Sequence, residues 1–427
     1  MTSKKAVLIP STFRGERKMK VNLFQKRGLS AATIGLLALA CGPSANAGFT
    51  YGDLAVVRLA GTSTDSNAQA VFIDEYSPTG VLVASHPLPA SGASAITLSG
   101  AGQHDGHLNL SSNGQYLLLG GYRADAGAAS PSAAPVAQVS RVIGRIDGNW
   151  NADTSTALTD AYEQTEITSV MSDNGQRFWT AGSGSYVNVN TAATVYTTTG
   201  GLRYVSSLGA TTSTNLSQTQ TVPVGAGLKP DSMRNARIVN GQIYIMTASP
   251  ESFVNRGTFA TSVPLPTSSA QTMIPIITNT EGSGSDPTGK NVPKSDVILL
   301  DVNPAVPGID TAYTTGGKSD YEKWSLVGGT WVKFSNKAVP SGEDIQAFDA
   351  IATPSGVELY ATTISKVYSL LDTAGYNADF SQTFSSTPLI SAADGTQFRG
   401  IAALVPEPSS LAFVAFSGLA LIRRRRR

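Results

Sequence analysis

Short stretches of alternating apolar and polar residues recur along the chain, each followed by a glycine-anchored turn and a second, more apolar stretch. Asn113-Gly114-Gln115-Tyr116 precedes LLLGG, Asn174-Gly175-Gln176-Arg177 precedes FWTAG, Asn240-Gly241-Gln242-Ile243 precedes YIMTA, and Ser355-Gly356-Val357-Glu358 precedes LYATT. Alternation with a period of two buries one face of a strand, and Asn-Gly supplies the positive φ values of a type I′ hairpin. Each phrase therefore predicts strand, tight turn, strand. Gly52 before DLAVVRLAG and Gly308 before IDTAYTTGG fit the same phase, so glycines at 52, 114, 175, 241, 308 and 356 mark six units.

Every unit except the first has a short strand upstream of its glycine: HLNLS, ITSVMS, ARIV, VILLDV and AFDAIA. The first unit lacks one, and Phe398-Arg399-Gly400-Ile401-Ala402-Ala403-Leu404 has the right pattern without a partner of its own. Further pairs follow the glycines: AVFIDEY with VLVASHPL, VYTTT with GLRYVSS, YEKWSL with TWVKFS, and KVYSLL with DFSQTF. Four strands per unit and a first unit completed from the far end predict an all-β fold, a six-bladed β-propeller closed by pairing of its N- and C-terminal strands. Such closure removes the open sheet edge that would template aggregation. A seventh blade within residues 210–290, or a pair of β-sandwiches, are the alternatives. The units exceed the usual blade length, which predicts exposed insertions at 124–135 and 278–293.

The two ends have a different pattern. Lys20, Lys26 and Arg27 precede the apolar run Leu29 to Ala40 and the small-residue site Ala45-Asn46-Ala47, the three parts of a helical signal peptide over residues 1–47 with cleavage before Gly48. Met19 opens a segment of ordinary signal length, so residues 1–18 read as an upstream start. An uncleaved membrane helix and a lipoprotein signal at Cys41 are the rival readings. Residues 405–427 hold Pro406, Glu407 and Pro408, the apolar run Leu411 to Ile422, and then Arg423, Arg424, Arg425, Arg426 and Arg427. The prolines keep Glu407 extended, as a protease cleft requires. Twelve apolar residues span about 18 Å as a helix against a hydrocarbon core of about 30 Å, a marginal anchor that snorkelling arginines lengthen. The arginines stop transfer and hold that end in the cytoplasm.

This order of motif, helix and arginine run resembles the PEP-CTERM sorting signal of Gram-negative bacteria. The resemblance implies export through signal peptidase and exosortase, transient anchoring in the inner membrane by the helical tail, and then release from or attachment to the cell surface or extracellular matrix. A simple tail anchor is the alternative reading. Phrases such as GGLRYV, YEKWSLVGGTWV, GVELYATT and FRGIAAL also resemble a loose group of secreted bacterial β-propellers.

The whole-chain charge of +1 conceals the body's character. The cationic ends leave 18 basic and 28 acidic residues between Gly48 and Val405. This net negative body would repel nucleic acid and anionic lipid and attract divalent cations or cationic polymers. Its cysteine count is zero, since Cys41 falls in the signal, which excludes disulfides and thiolate metal sites from the ectodomain of residues 48–404.

Candidate chemistry concentrates on the inner strands, where His104, Asp105, His107, Glu166, Arg237, Asp296, Asp349 and Arg399 place polar or charged groups around the expected channel. They could hold an ion or a small polar ligand, or pair with each other. His104-Asp105-Gly106-His107 is a candidate transition-metal site lacking further ligands. Asp147, Asn149, Asn151 and Asp153 alternate like the opening of a calcium loop, but Ala152 replaces the turn glycine and Leu158 the closing carboxylate. Calcium is the one cofactor this spacing suggests. No GxSxG, HExxH, phosphate loop or dinucleotide fingerprint occurs. The leading expectation is a noncatalytic surface or matrix propeller that binds exopolysaccharide or envelope proteins, with Trp150, Trp179, Trp324 and Trp331 available to stack on sugars. The alternative is a propeller hydrolase, lactonase-like or a metal-dependent phosphoesterase.

Overall fold

The computed structural model describes residues 49–404 except 103, 185, 191–194, 218–219, 222–232, 248–256, 269–270, 279–295 and 316–318. The predicted signal peptide with Ala45, Ala47 and Gly48, and the predicted tail with Pro406, Glu407, Pro408 and Arg423 to Arg427, lie outside the described residues. Among the described residues no helix is long and apolar enough to cross a membrane.

The fold is a β-propeller. Among the described residues there are four separate four-stranded antiparallel sheets, a three-stranded sheet of Tyr186–Asn190, Val195–Thr198 and Gln220–Thr221, and a nine-stranded sheet that contains two further runs of four joined through the short strand Thr97–Ser99. Closure occurs where the sequence places it: Leu54–Leu59 pairs antiparallel with both Ala68–Tyr76 and Gln397–Ala403, with Val56 opposite Ile401. Backbone bonds Gly52 N–H to Leu404 O (2.6 Å) and Leu404 N–H to Asp53 O (2.9 Å) complete the join. The seven residues Gln397–Ala403 are all buried, the pattern of a strand covered on both faces.

Apolar side chains fill the spaces between neighbouring sheets. Leu117, Leu119, Val142 and Ile146 pack against Val57, Val71 and Ile73 of the closing sheet. Leu118 and Ile143, on the opposite face, meet Ile167, Val170 and Phe178. The same alternation continues around the molecule and returns through Ala347, Tyr360 and Val367 to Val56, Phe398 and Ile401. Each buried aliphatic side chain contributes about 1.5 to 3 kcal/mol relative to exposure.

Two expected pairings are corrected. Val195–Thr198 pairs with Tyr186–Asn190, while Arg203–Val205 joins Phe178–Gly182. The Arg203 guanidinium donates to Ser213 Oγ (2.7 Å) and Asp160 (3.3 Å), which fixes that strand in the main sheet. Lys366–Asp372 pairs with Ile390–Ser391, and Phe380 and Phe384 plug an intervening loop against Tyr321 at centroid distances of 5.1 and 4.6 Å. Turn chemistry also differs. Asn240 and Gly241 both have positive φ (51° and 75°), as a type I′ turn requires, whereas at 113–114 and 174–175 only the glycine is left-handed. There the turn is longer: Ser111 N–H reaches Tyr116 O (2.8 Å), and Ser111 Oγ bonds Asn113 Oδ1 (2.7 Å).

Gly400 packs against the backbone of Gly106 and Leu108, where a Cβ would collide with main-chain atoms. Gly400→Ala is therefore expected to destabilise the fold by about 1 to 3 kcal/mol, since backbone must shift to admit a methyl. A chemical denaturation midpoint equal to that of the wild type would refute this close approach.

Candidate functional site

The first strands of the sheets line a central channel and touch in cyclic order: Gln397–Ala403, Leu108–Leu110, Ile167–Met171, Met233–Val239, Val297–Leu300, Ile345–Thr353, and back to Gln397–Ala403. A propeller brings these strands together because each sheet twists and packs face to face on the next, leaving the innermost edges convergent. Near their C-terminal ends they enclose a cavity of about 230 Å³, walled by aliphatic residues such as Leu110, Ile238, Ile298 and Ala403, with Arg237 and Asp349 reaching into it.

Arg237 is the hub of that floor. Its Nη1 donates to Asp349 Oδ1 at 2.9 Å, Nε to Asp296 Oδ1 at 3.3 Å, and Nη2 to Asp296 Oδ2 at 3.3 Å and to the Phe348 carbonyl at 2.5 Å. Asp296 is fully buried and accepts three more bonds, from Asn235 Nδ2 (2.6 Å), Val297 N–H (2.8 Å) and Phe348 N–H (3.0 Å). Asp349 Oδ2 accepts Ala403 N–H at 2.8 Å. Burial raises the Asp349 carboxyl above the ordinary range, with the Arg237 charge and the Ala403 bond opposing it.

The polar circuit continues through residues that the sequence reading missed. Asn109 Nδ2 donates to Ser169 Oγ (2.9 Å), Val170 O (2.9 Å) and Ala236 O (3.1 Å), and Ser169 Oγ donates to Asn235 Oδ1 (2.9 Å). One hydrogen-bonded path thus runs from Asn109 through Ser169, Asn235, Asp296 and Phe348, and Arg237 and Asp349 carry it on to Ala403. A signal was present: Asn109, Ser169 and Asn235 each stand five or six positions before an anchoring glycine.

The opposite end of the inner strands carries a second group. Asp105 and Arg399 are both buried, with Arg399 Nε 3.9 Å from Asp105 Oδ1. Asp105 Oδ2 accepts Ser99 N–H (3.1 Å), and Arg399 Nη2 donates to Gly100 O (2.7 Å). Burial raises the Asp105 carboxyl, against the Arg399 charge and the Ser99 bond. Burial likewise weakens the hold of Arg399 on its proton, against the charges of Asp105 and Glu166. His107 is buried with Nδ1 3.9 Å from Asp296 Oδ2. Burial pulls its pKa down to about 4, with Asp296 opposing and Arg237 and Arg234 reinforcing. His104 is pulled down to about 2 by burial and by the charges of Arg234, His107 and Arg399. Both imidazoles are neutral at pH 7.

Of the channel residues expected from sequence, Arg237, Asp296 and Asp349 are brought into direct contact, with His107 beside Asp296. Arg399 and Asp105 form a separate pair, and Glu166 acts on Arg399 and Tyr122 through its charge. Among the described residues no three or more His, Cys, Asp or Glu side chains converge as a metal-holding group. The Asp147 loop turns its carboxylate inward: Oδ1 accepts the N–H groups of Asn149 and Asn151, both at 2.9 Å. Asp153 faces Arg145 at 3.3 Å instead of converging on Asp147. These are the contacts of an Asx-type turn. Trp179 and Trp324 are core residues, with Trp179 Nε1 donating to Pro266 O at 2.6 Å. Trp150 stacks on His86 at 3.9 Å.

No family model matches the chain, and no curated protein matches it. Similar solved structures include a protein from Lactobacillus plantarum (12% identity, 78% of this chain and 82% of that one, TM-score 0.43). A candidate 6-phosphogluconolactonase of Bacteroides uniformis shows 13% identity over 80% of this chain and 83% of its own, with a TM-score of 0.38. The Cps50 (Swd1) β-propeller domain of Myceliophteria thermophila shows 8% identity over 70% and 96%, with a TM-score of 0.35. At such values the propeller rests on the strand pairing of this chain itself.

Proposed function

We propose that the chain is an exosortase-sorted envelope or matrix protein whose ectodomain is a rigid, noncatalytic six-bladed propeller that binds exopolysaccharide or another envelope component. The count of six is supported by the cyclic contact order of the inner strands and by the apolar layers between successive sheets. The observation that carries the noncatalytic reading is how the channel charges are used. Arg237 is clamped between Asp296 and Asp349; Asp296 also accepts from Asn235 and from backbone N–H groups, and the second oxygen of Asp349 accepts Ala403 N–H. A general acid or base must be free to exchange its proton with a substrate. Groups spent on one another instead stiffen the ring, leaving the long outer loops to recognise a partner. The acidic body favours cationic polymers and divalent cations over nucleic acid as partners.

Export and sorting rest on the two ends of the sequence. Glu407→Ala is expected to leave the protein in the inner membrane with its tail attached, because the Pro-Glu-Pro motif no longer offers its carboxylate to the protease. Fractionation of the native bacterium followed by tail-specific detection reads the result, and processing equal to wild type would remove the motif from this account. For binding, mature protein recovered from the cell surface should cosediment with the host's exopolysaccharide in a saturable manner. A stoichiometric transition metal together with no cosedimentation would favour a hydrolase.

A further inference from the structure

Lys323 is fully buried, and so is its partner Asp372. Lys323 lies on Asp320–Val327 directly opposite Tyr313 of Thr311–Thr315, so their side chains share a face. Asp372 ends the strand Lys366–Asp372 of the next sheet. Lys323 Nζ donates to Asp372 Oδ2 at 2.6 Å and to Gly375 O at 2.7 Å. The Tyr313 hydroxyl donates to the same Oδ2 at 2.8 Å. The other oxygen, Oδ1, accepts the N–H groups of Ala374 (3.1 Å) and Ser381 (3.3 Å) and the Ser381 hydroxyl (3.4 Å). The rings of Tyr313 and Phe380 flank Nζ, each with its centroid 5.9 Å away.

A salt bridge needs only proximity, and in a dry site its desolvation cost offsets most of the attraction. This site holds more than proximity. The two carboxylate oxygens are treated differently: Oδ2 has a hydroxyl donor and the amine, while Oδ1 sits among backbone N–H groups arranged as an oxyanion hole. An amine held beside a carboxyl carbon by two hydrogen bonds reacts as if at very high local concentration. Bulk water, which would hydrolyse or solvate the reactants, is excluded by the flanking rings.

We propose that Lys323 and Asp372 condense autocatalytically into an intramolecular isopeptide bond that ties the third strands of two neighbouring sheets. A proton passes from Nζ to Oδ2 along their hydrogen bond, leaving a neutral amine and a neutral acid. The Nζ lone pair attacks Cγ, the Cγ–Nζ bond forms, and negative charge gathers on Oδ1 against the Ala374 and Ser381 N–H groups. Nζ gives up a second proton, relayed by the Tyr313 hydroxyl to Oδ2, and the Cγ–Oδ2 bond breaks as water leaves. Ammonium and carboxylate become a secondary amide and one water, with no oxidant, reductant or cofactor. Burial and the Asp372 charge hold the Tyr313 hydroxyl above its ordinary pKa, so its proton is present to be relayed. In an ectodomain without cysteine, such a link would constrain the chain where a disulfide otherwise could.

The test is mass spectrometry of the full-length gene product purified from its exporting host. Digestion of wild type should yield a branched peptide in which the segment carrying Lys323 is joined to the segment carrying Asp372, lighter than their sum by one water. The doubly substituted protein Lys323→Met, Asp372→Leu, which keeps the site packed and apolar, should yield only linear peptides of ordinary mass. Recovery of wild-type Lys323 and Asp372 solely in linear, unmodified peptides would overturn the proposal. That measurement needs no variant to fold and does not depend on what the propeller binds.

Discussion

Replacing Arg237 by alanine is expected to cost the fold about 3 to 5 kcal/mol, a large part of the 5 to 15 kcal/mol typical of a folded domain. The reason lies in what is left behind. Asp296 is fully buried and Asp349 mostly buried, and with the guanidinium gone two carboxylates at neighbouring inner strands have no cation between them. Their backbone and Asn235 donors remain, but these satisfy hydrogen bonding and not charge. Arg237→Lys should recover part of the loss, since one ammonium keeps the charge but cannot fork between both carboxylates as the guanidinium does. Neutralising the whole set, with Arg237→Met, Asp296→Asn and Asp349→Asn together, should be milder than the single alanine, because no unpaired charge remains. Urea midpoints for the three proteins order the outcomes. An alanine variant within about 0.5 kcal/mol of wild type, the range of ordinary surface changes, would mean that the clamp is not structural.

That clamp was only half legible in the sequence. The sequence assigns Arg237, Asp296 and Asp349 to the inner strands; Arg237 lies in Met233–Val239, Asp349 in Ile345–Thr353, and Asp296 immediately precedes Val297–Leu300. Their mutual contact could not be read, because Arg237 lies 59 residues from Asp296 and 112 from Asp349, and only the curvature of the ring brings them together. Partner choice between strands was similarly hidden. Alternation marks Val195–Thr198 as a strand but carries no label for its neighbour, which turned out to be Tyr186–Asn190. The DFSQTF stretch has the same alternation, yet Phe380 and Phe384 use it to cap Tyr321 from a loop. The terminal closure was more legible, since a missing strand at one end and a surplus strand at the other have one economical solution. The buried Lys323 and Asp372 gave no sequence signal, as a lysine in a strand ordinarily points to solvent.

Acid should loosen this propeller before its carboxylates are all protonated, and His107 is the reason. Its folded pKa is depressed to about 4 by burial, against about 6.5 in an unfolded chain. Below pH 6.5 the unfolded state takes up a proton that the folded state refuses, so the unfolded state binds more protons and stability falls as pH falls. The contribution is fully present above about pH 6.5 and is lost progressively towards pH 4, amounting to about 3 kcal/mol in all. His104 works in the same direction, since its folded pKa is lower still, about 2. Asp105 and Asp349 work against it: their raised carboxyl pKa values let the folded state hold protons that the unfolded state has released, so they add stability as pH falls. A comparison of two proteins separates these effects, because both carboxylates are common to each. Between pH 7.5 and 4.5 the denaturation free energy of His107→Gln should drop by about 2 to 3 kcal/mol less than that of wild type. Parallel pH profiles for the two proteins would show that the imidazole titrates freely in the fold. In that case the ring of polar contacts around Asp296 must open to solvent far more readily than its burial implies.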